Sequence, residues 1–267
     1  MAKRKVRGIC GACGQEKQLS REHVPPQSAF NKETVIGYKL GDYLVEGKKV
    51  KVAQYQGGYN KLTLCKQCNN DTGTWYAGEY LKWAEIFDDV MVHTRSHKAE
   101  FAGVSEIALT LKDVYPLKFL KQVVTCFLSV NYLQSKKGQA VGMPFIKQNP
   151  ELGKFVLDRH RKIFPDNYQF YLRLSQSREI RHMFDLAAKL SVTTGSGGLK
   201  AGPVVYFSEM THPPMSLGMT TDGGDFPDMT NITHFKNYDY DECVDELIAS
   251  FRAGKATSAI PGAFEPL

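Results

Sequence analysis

The chain carries two short cysteine motifs, Cys10-Gly11-Ala12-Cys13 and Cys65-Lys66-Gln67-Cys68. Two residues between the thiols of each motif let a tight turn direct both sulfurs at one ion. Two such turns supply the four ligands of a tetrahedral zinc site. A disulfide framework is the alternative for the same cysteines. We expect structural Zn²⁺ because the sequence starts without a secretion signal, and a reducing compartment disfavours disulfides.

A second group of polar residues lies between and beside these motifs, in Arg21-Glu22-His23-Val24-Pro25-Pro26 and Asn60-Lys61-Leu62-Thr63-Leu64-Cys65. Asn69 then follows Cys68 directly. A single Glu-His pair is a weak signal, because most histidines are ordinary surface or core residues. An acid next to a histidine, brought against an asparagine that follows a zinc-ligating cysteine, offers oxygen ligands for a hard cation beside a base.

The segment Ile9–Thr74 resembles the HNH nuclease family, which has the ββα-metal fold. The shared pattern begins with C-x2-C and with an acid-His pair followed by an apolar residue and a proline. It continues with an asparagine five residues before the next cysteine, and with a second C-x2-C followed by His or Asn. The resemblance implies that one structural zinc joins the two halves through four cysteines, namely Cys10, Cys13, Cys65 and Cys68.

The resemblance also implies roles for four further residues. His23 is the general base that activates water, and Glu22 is a ligand of the catalytic divalent cation. Asn60 fixes the loop that carries the base, and Asn69 is the final metal ligand. Two of these residues depart from the family, since Glu22 stands where Asp is usual and Asn69 where His is frequent. An amide oxygen in place of an imidazole shifts the metal preference towards Mg²⁺ or Mn²⁺.

The positive charge of the chain is concentrated near its start. The whole sequence has 34 Lys and Arg against 28 Asp and Glu, a net charge of +6. Residues 1–75 hold 13 basic and 6 acidic residues, whereas the other 192 hold 21 and 22. A polyanionic partner is therefore expected at the first quarter. Within it, Tyr43–Val52 predicts a basic hairpin whose lysines either contact phosphates or are simply solvated.

These features predict a metal-dependent endonuclease that hydrolyses phosphodiester bonds in DNA, with double-stranded DNA as the expected substrate. The family resemblance implies 5′-phosphate and 3′-hydroxyl ends, and the setting that fits is bacterial or phage defence or restriction. One alternative is a non-catalytic zinc-dependent module that binds nucleic acid. Another is an interaction protein whose zinc only joins two segments. The intact Glu22, His23 and Asn69 favour the enzyme, because a binding module has no need of that base.

The predicted fold class is α+β in two domains. Residues 1–75 form an HNH (ββα-metal) module with a structural zinc. Residues 76–267 form a mixed α+β domain that recognises the target, binds a protein partner or a second copy, or regulates cutting. Helical spacing begins at about Thr74 and again at Pro116. Four later segments alternate as strands do. They are Ile107–Leu111, Tyr168–Leu174, Val204–Phe207 and Met215–Thr220.

The end of the sequence predicts one more helix, an amphipathic one over Asp241–Phe251. Cys126 and Cys243 are expected to be small buried hydrophobic residues. The most apolar helical stretch, Phe119–Leu133, contains polar residues and is shorter than the ~20 residues that a spanning helix needs. We therefore expect a cytoplasmic protein without a membrane partner.

Overall fold

The structure is a computed structural model that describes residues 6–38, 52–96, 106–132, 144–175, 182–195 and 198–254. Internal contacts divide the chain into two compact units. The first comprises Met1–Leu81 and Lys121–Arg161, and the second comprises Lys82–Leu120 and Lys162–Leu267. The fold class is mixed α+β, as the sequence predicted. The predicted domain boundary at residue 75 stays a prediction.

The first unit contains two small antiparallel sheets and most of the described helical residues. The strands are β1 (Arg7–Ile9), β2 (Glu16–His23), β3 (Val35–Tyr38), β4 (Val52–Tyr55) and β5 (Asn60–Cys65). Their order is β1-β2-β5 in one sheet and β3-β4 in the other. The four described α-helices of the chain are α1 (Lys66–Ser96), α2 (Pro116–Val130), α3 (Phe145–Gln148) and α4 (Pro150–Leu157). Helix α1 begins directly after β5. The paired strands β2 and β5 and then α1 therefore follow the order of a ββα unit.

The second unit is built on a seven-stranded sheet. Its described strands are β6 (Glu106–Val114), β7 (Tyr168–Ser175), β8 (His182–Gly195), β9 (Gly198–His212), β10 (Met215–Thr221), β11 (Thr230–Asn231) and β12 (Val244–Gly254). The order is β6-β12-β7-β10-β9-β8, and β11 pairs with β7. These pairs are antiparallel except β12 with β7, which is parallel. A short 3₁₀-helix covers Thr233–Asn237.

Aromatic packing around Trp83 forms the core of the second unit. The Trp83 ring is fully buried and stacks on Phe119, with ring centroids 4.2 Å apart and planes 10° apart. Phe87, Phe235 and Phe251 meet it edge-on or tilted. A large aromatic side chain buried on all sides contributes several kcal/mol through apolar burial and ring contacts. Trp83 is therefore a principal stabilising residue of this unit.

Helix boundaries agree with the sequence at Pro116 and differ at α1. The predicted proline start of α2 is confirmed, as are the four predicted strand segments, which lie in β6, β7, β9 and β10. Helix α1 begins at Lys66, eight residues before the predicted Thr74. The hydrophobic repeat starts only at Trp75, because the first two turns are polar and contain residues of low helix propensity. The Thr72 hydroxyl donates to the carbonyl of Cys68, 2.9 Å away, within these turns.

The predicted helix over Asp241–Phe251 is wrong, since residues 244–254 form strand β12. Leu247 and Phe251 are both buried and lie four apart, which a helix and a strand satisfy equally. The segment forms a strand because it pairs with β6 on one side and with β7 on the other, and this pairing satisfies its backbone groups. Cys243 precedes this strand and is exposed, contrary to the prediction, whereas Cys126 is buried as expected.

The predicted basic hairpin Tyr43–Val52 lies outside the described residues, except for Val52 at the start of β4. Among the helices that the structure describes, none combines the length and the apolar character needed to cross a membrane.

Candidate functional site

The two cysteine motifs meet in the first unit. Cys10 and Cys13 lie in the turn between β1 and β2, Cys65 ends β5, and Cys68 lies in the first turn of α1. Their four sulfurs all lie within 4.8 Å of one another. A tetrahedral Zn²⁺ with Zn–S distances of about 2.3 Å would place its sulfurs about 3.8 Å apart. The four thiols therefore form a group whose size and chemistry are compatible with a structural zinc.

The turn that carries the first pair is shaped by its backbone. The N–H of Gly14 donates to the carbonyl of Cys10, 2.9 Å away, and Gly14 has a φ of 66°. The N–H of Cys65 donates to Sγ of Cys10 over 3.2 Å. Positive φ favours glycine, and an amide N–H donating to sulfur stabilises a thiolate ligand. The local backbone thus favours the thiolate form of Cys10, which is the form that binds a metal cation.

Hydrogen bonding and burial give the thiols of this group different pKa values. A hydrogen bond from Cys68 lowers the pKa of Cys10 to about 4, against the opposing effect of burial. The same bond raises the pKa of Cys68, its donor, and burial raises the pKa of Cys13. A metal cation bound among the four sulfurs would favour the thiolate form of each.

His23 lies opposite Asn60 on neighbouring strands. β2 pairs with β5 in antiparallel register, with His23 facing Asn60 and Glu22 facing Lys61. The register skips Thr63, which faces no residue of β2. Two residues that stand 37 positions apart in the sequence are thereby brought together at the end of β2. This pair is the one to which the family resemblance assigns the base and the loop-fixing asparagine.

The loop before β5 is bonded to the segment that follows His23, since the N–H of Val24 donates to the carbonyl of Tyr59 over 3.1 Å. Burial lowers the pKa of the His23 imidazole. Asn60 donates from Nδ2 to the carbonyl of Gly58, 2.9 Å away. Gln27 donates from Nε2 to the carbonyl of Gly57 over 3.1 Å. Hydrogen bonds therefore fix the loop next to His23, and burial favours the neutral form of the imidazole.

Asn69, in the first turn of α1, lies against β2. Its Nδ2 donates to the carbonyl of Arg21 over 2.8 Å and to Oγ of Ser20 over 3.1 Å. These bonds use both amide hydrogens and leave Oδ1 as the atom for a ligand. They also connect the first turn of α1 to the strand that carries Glu22 and His23.

Glu22 lies on the buried side of β2, whereas His23 is partly exposed. Successive residues of a strand point to opposite faces, and Glu22 is only 5% exposed. Burial and the nearby charge of Cys10 raise the pKa of Glu22 to about 8. Its Oε2 is buried without a hydrogen-bond partner among the described residues. With this pKa the carboxyl group is mostly protonated at neutral pH, and it lies on the face of β2 opposite His23. A cation bound to it would compensate the cost of ionising a buried carboxyl group.

Residues 121–161 complete the first unit, which the sequence pattern did not anticipate. Lys61 donates from Nζ to the carbonyl of Val130 over 3.1 Å, and Thr63 bonds Ser129 over 3.1 Å. Sequence reasoning also missed Asn31, Gln27 and the glycine pair at 57–58. The adjacent glycines are a turn signal that could have located the loop, but nothing in the pattern marks the asparagine or the glutamine.

No protein-family model, curated protein or solved structure matches this chain. The functional argument therefore depends on the residues and on the contacts they make.

Proposed function

We propose that this chain is a metal-dependent endonuclease of the HNH type that hydrolyses phosphodiester bonds in DNA. The observation that carries the proposal is the position of His23, which faces Asn60 across the β2–β5 pair. The four-cysteine group supports it, because a zinc there would join the β1–β2 turn to the start of α1. The order of strand, strand and helix agrees with the ββα-metal fold that the resemblance implies.

His23 is the general base of the proposed reaction. Burial lowers its pKa, so the neutral imidazole dominates near pH 7. In the neutral imidazole one ring nitrogen carries the hydrogen and the other has a free lone pair. That nitrogen accepts a proton from water as the water oxygen attacks phosphorus in line with the leaving 3′-oxygen.

Glu22 and Asn69 are the residues that would hold the catalytic cation. Glu22 offers the buried Oε2, which has no hydrogen-bond partner among the described residues, and Asn69 offers Oδ1 from its anchored amide. Carboxylate and amide oxygens suit Mg²⁺ or Mn²⁺. Such an ion, when bound, neutralises negative charge on the scissile phosphate and on the leaving oxygen.

The charge distribution supports DNA as the substrate. Residues 1–75 have a net charge of +7, and Lys17, Arg21 and Lys66 of this segment are exposed. Basic side chains that contact phosphates supply affinity without sequence choice. Sequence or structure selectivity, a partner, or restraint of cutting would then come from the second unit. Bacterial or phage defence or restriction is the setting we propose.

Cleavage of supercoiled plasmid tests the proposal. The wild-type chain should convert the plasmid to nicked or linear DNA with Mg²⁺ or Mn²⁺, and His23→Ala should lose this activity. His160→Ala is the matched control, because His160 is an exposed histidine of the same unit outside β2 and β5. Equal cutting by wild type and His23→Ala would show that the site is wrongly assigned. Salt-dependent DNA binding without any cutting would favour the non-catalytic zinc module instead.

A further inference from the structure

The fold concentrates more positive charge in the first unit than residues 1–75 contribute. Residues 1–81 and 121–161, which make up this unit, hold 20 Lys and Arg against 9 Asp and Glu, a net charge of +11. The second unit holds 14 against 19, a net charge of −5. Residues 121–161 alone supply 7 basic and 2 acidic residues. A segment outside the predicted nuclease module therefore adds to the attraction of the first unit for a polyanion.

Three of these basic side chains line a cleft of about 460 Å³ next to Cys13. The turn at residues 12–14 forms one wall, and α3, α4 and the residues after α4 form the other. The volume of the cleft lies in the range of pockets that hold small ligands, so it is large enough for a phosphate group and its sugar. The charged residues that line it are Lys147, Lys154, Asp158 and Arg161.

Helix α4, which forms part of the cleft, is fixed both to the cysteine turn and to α1. A Cβ built on Gly153 would collide with the carbonyl oxygen of Ala12, so the helix backbone packs directly against the turn. The hydroxyl of Tyr76 donates to the carbonyl of Val156 over 2.8 Å, which joins α4 to α1. The cleft therefore has a defined position relative to the four cysteines and to the helix that carries Asn69.

Two cations of the cleft are held in place by one carboxylate. Glu151 accepts from Nζ of Lys154 and from Nη2 of Arg161, over 2.6 Å each. The two basic side chains nevertheless stay 60% and 31% exposed, respectively. Lys147 adds a third, exposed cation, so three positive charges stand against those of Glu151 and Asp158. Side chains that are already restrained lose less entropy when they bind a ligand.

Arg159 extends the basic surface from the cleft to α1. It follows Asp158 directly and is exposed, and its guanidinium lies 5.5 Å from the centroid of the Trp75 ring. Trp75 comes six residues after Asn69, about 9 Å along the axis of α1. Successive phosphates of one DNA strand rise about 3.4 Å along the duplex axis. A strand that passes Asn69 therefore reaches Arg159 within a few phosphates.

We propose that this basic cleft, formed by Lys147, Lys154 and Arg161 with Arg159 next to it, binds the sugar-phosphate backbone of DNA beside the cleavage site. The cleft offers cations in a groove of fixed shape, and a DNA strand offers a regular line of anions. Such a contact adds affinity and positions the duplex without reading bases. The proposal rests on the proposed function for its DNA partner, whereas its binding test requires no cutting.

The double variant Lys147→Gln with Arg161→Gln removes two cations of the cleft. Lys112→Gln with Arg252→Gln is the matched control in the second unit. It likewise removes one exposed lysine and one arginine that pairs with a glutamate, since Arg252 lies 4.0 Å from Glu106. Zinc content and circular dichroism of the full chain establish that each variant is folded.

Fluorescence anisotropy of a labelled DNA duplex, without added Mg²⁺ or Mn²⁺, measures the Kd as a function of salt. Each lost phosphate contact reduces the slope of log affinity against log salt by about 0.9. We expect the cleft variant to lose about 1.8 from this slope and to bind at least about 10-fold more weakly at about 100 mM salt. The control should keep the slope and the Kd of the wild type.

A folded cleft variant with the slope and the Kd of the wild type would overturn the proposal. An equal loss in the control would also overturn it, because net charge alone would then explain the effect. If the double variant does not fold, the exposed Lys147→Gln decides alone, with an expected slope change of about 0.9. Displacement of DNA by millimolar inorganic phosphate at constant ionic strength would identify a site for free phosphate instead.

Failure of this proposal differs from failure of the proposed function. A wild type that shows the expected cleft dependence of binding but cuts no DNA would refute the nuclease and support the cleft. A wild type that cuts DNA, together with a cleft variant that binds as tightly as the wild type, would refute the cleft and support the nuclease.

Discussion

Replacing Lys121 by methionine should lower the free energy of unfolding of the first unit by about 3 kcal/mol at about pH 10, where burial of the positive charge no longer costs stability. The Lys121 side chain is fully buried on α2. Its ammonium group donates to the carbonyl of Phe155, and to those of Asp158 and Arg161 at 2.8 Å each. Phe155 lies in the last turn of α4 and Asp158 directly follows it, so the charge also meets the negative end of a helix dipole.

The magnitude follows from the three acceptors. The Phe155 carbonyl is buried, and leaving it without a donor costs about 2 kcal/mol. The other two contacts are partly buried. Water can replace the ammonium there, which reduces each cost to about 0.5–1 kcal/mol. Methionine keeps most of the apolar stem, so little packing is lost.

Urea unfolding, followed by tryptophan fluorescence and circular dichroism, measures the change. A loss of about 3 kcal/mol should move the midpoint by about 1–3 M at the m-values usual for small domains. Lys154→Met is the control, because Lys154 is mostly exposed. Among the described residues its ion pair is with Glu151. Exposed pairs contribute little, so its midpoint should not move. An unchanged midpoint for Lys121→Met would refute the argument from the three carbonyls.

The pH dependence gives a second readout of the same residue. Burial lowers the pKa of Lys121 to about 7, against about 10.4 for an unfolded lysine. Between these values the unfolded chain binds more protons than the folded chain, so this residue makes the folded state more stable as pH rises. The stability difference between wild type and Lys121→Met should therefore grow from pH 7 to about pH 10. A difference independent of pH would contradict this reasoning.

Three further outcomes are expected. Metal analysis of the wild-type protein should find about one zinc per chain, and Cys65→Ser should lose this zinc. Cys243→Ser should retain it, because Cys243 is exposed and lies outside the group of four. Full zinc content in Cys65→Ser would exclude this cysteine as a ligand. Trp83→Ala should destabilise the second unit by about 3–5 kcal/mol in thermal or urea unfolding, because removal of a fully buried ring leaves a cavity. A smaller loss would show that the surrounding core collapses into the cavity. DNA affinity, measured by fluorescence anisotropy, should fall steeply between about 50 and 200 mM salt, and a flat response would argue against phosphate contacts.

Short-range patterns predicted the parts of the molecule that depend on local chemistry. The C-x2-C spacing predicted which four thiols come together, because two residues between cysteines restrict where both sulfurs can point. The apolar repeat after Pro116 predicted α2, since a helix satisfies its backbone within itself. The pairing of His23 with Asn60 agrees with the resemblance, while the roles of these residues in catalysis stay a proposal.

Long-range contacts account for what the patterns missed. β12 is a strand because two neighbouring strands satisfy its backbone, although Leu247 and Phe251 fit a helical repeat equally well. Asn31 contacts a loop 28 residues later in the chain, and its hydrogen bonds exist only when both segments are folded together.

The cysteine spacing thus predicted which four thiols come together. The charge count predicts where a polyanion would bind, and this stays a prediction. Both depend on residues that are close in the sequence. The pairing of His23 with Asn60, the burial of Glu22 and the return of residues 121–161 to the first unit emerged only from the folded chain. Each of these depends on contacts between segments that lie far apart in the sequence, which no short-range pattern records.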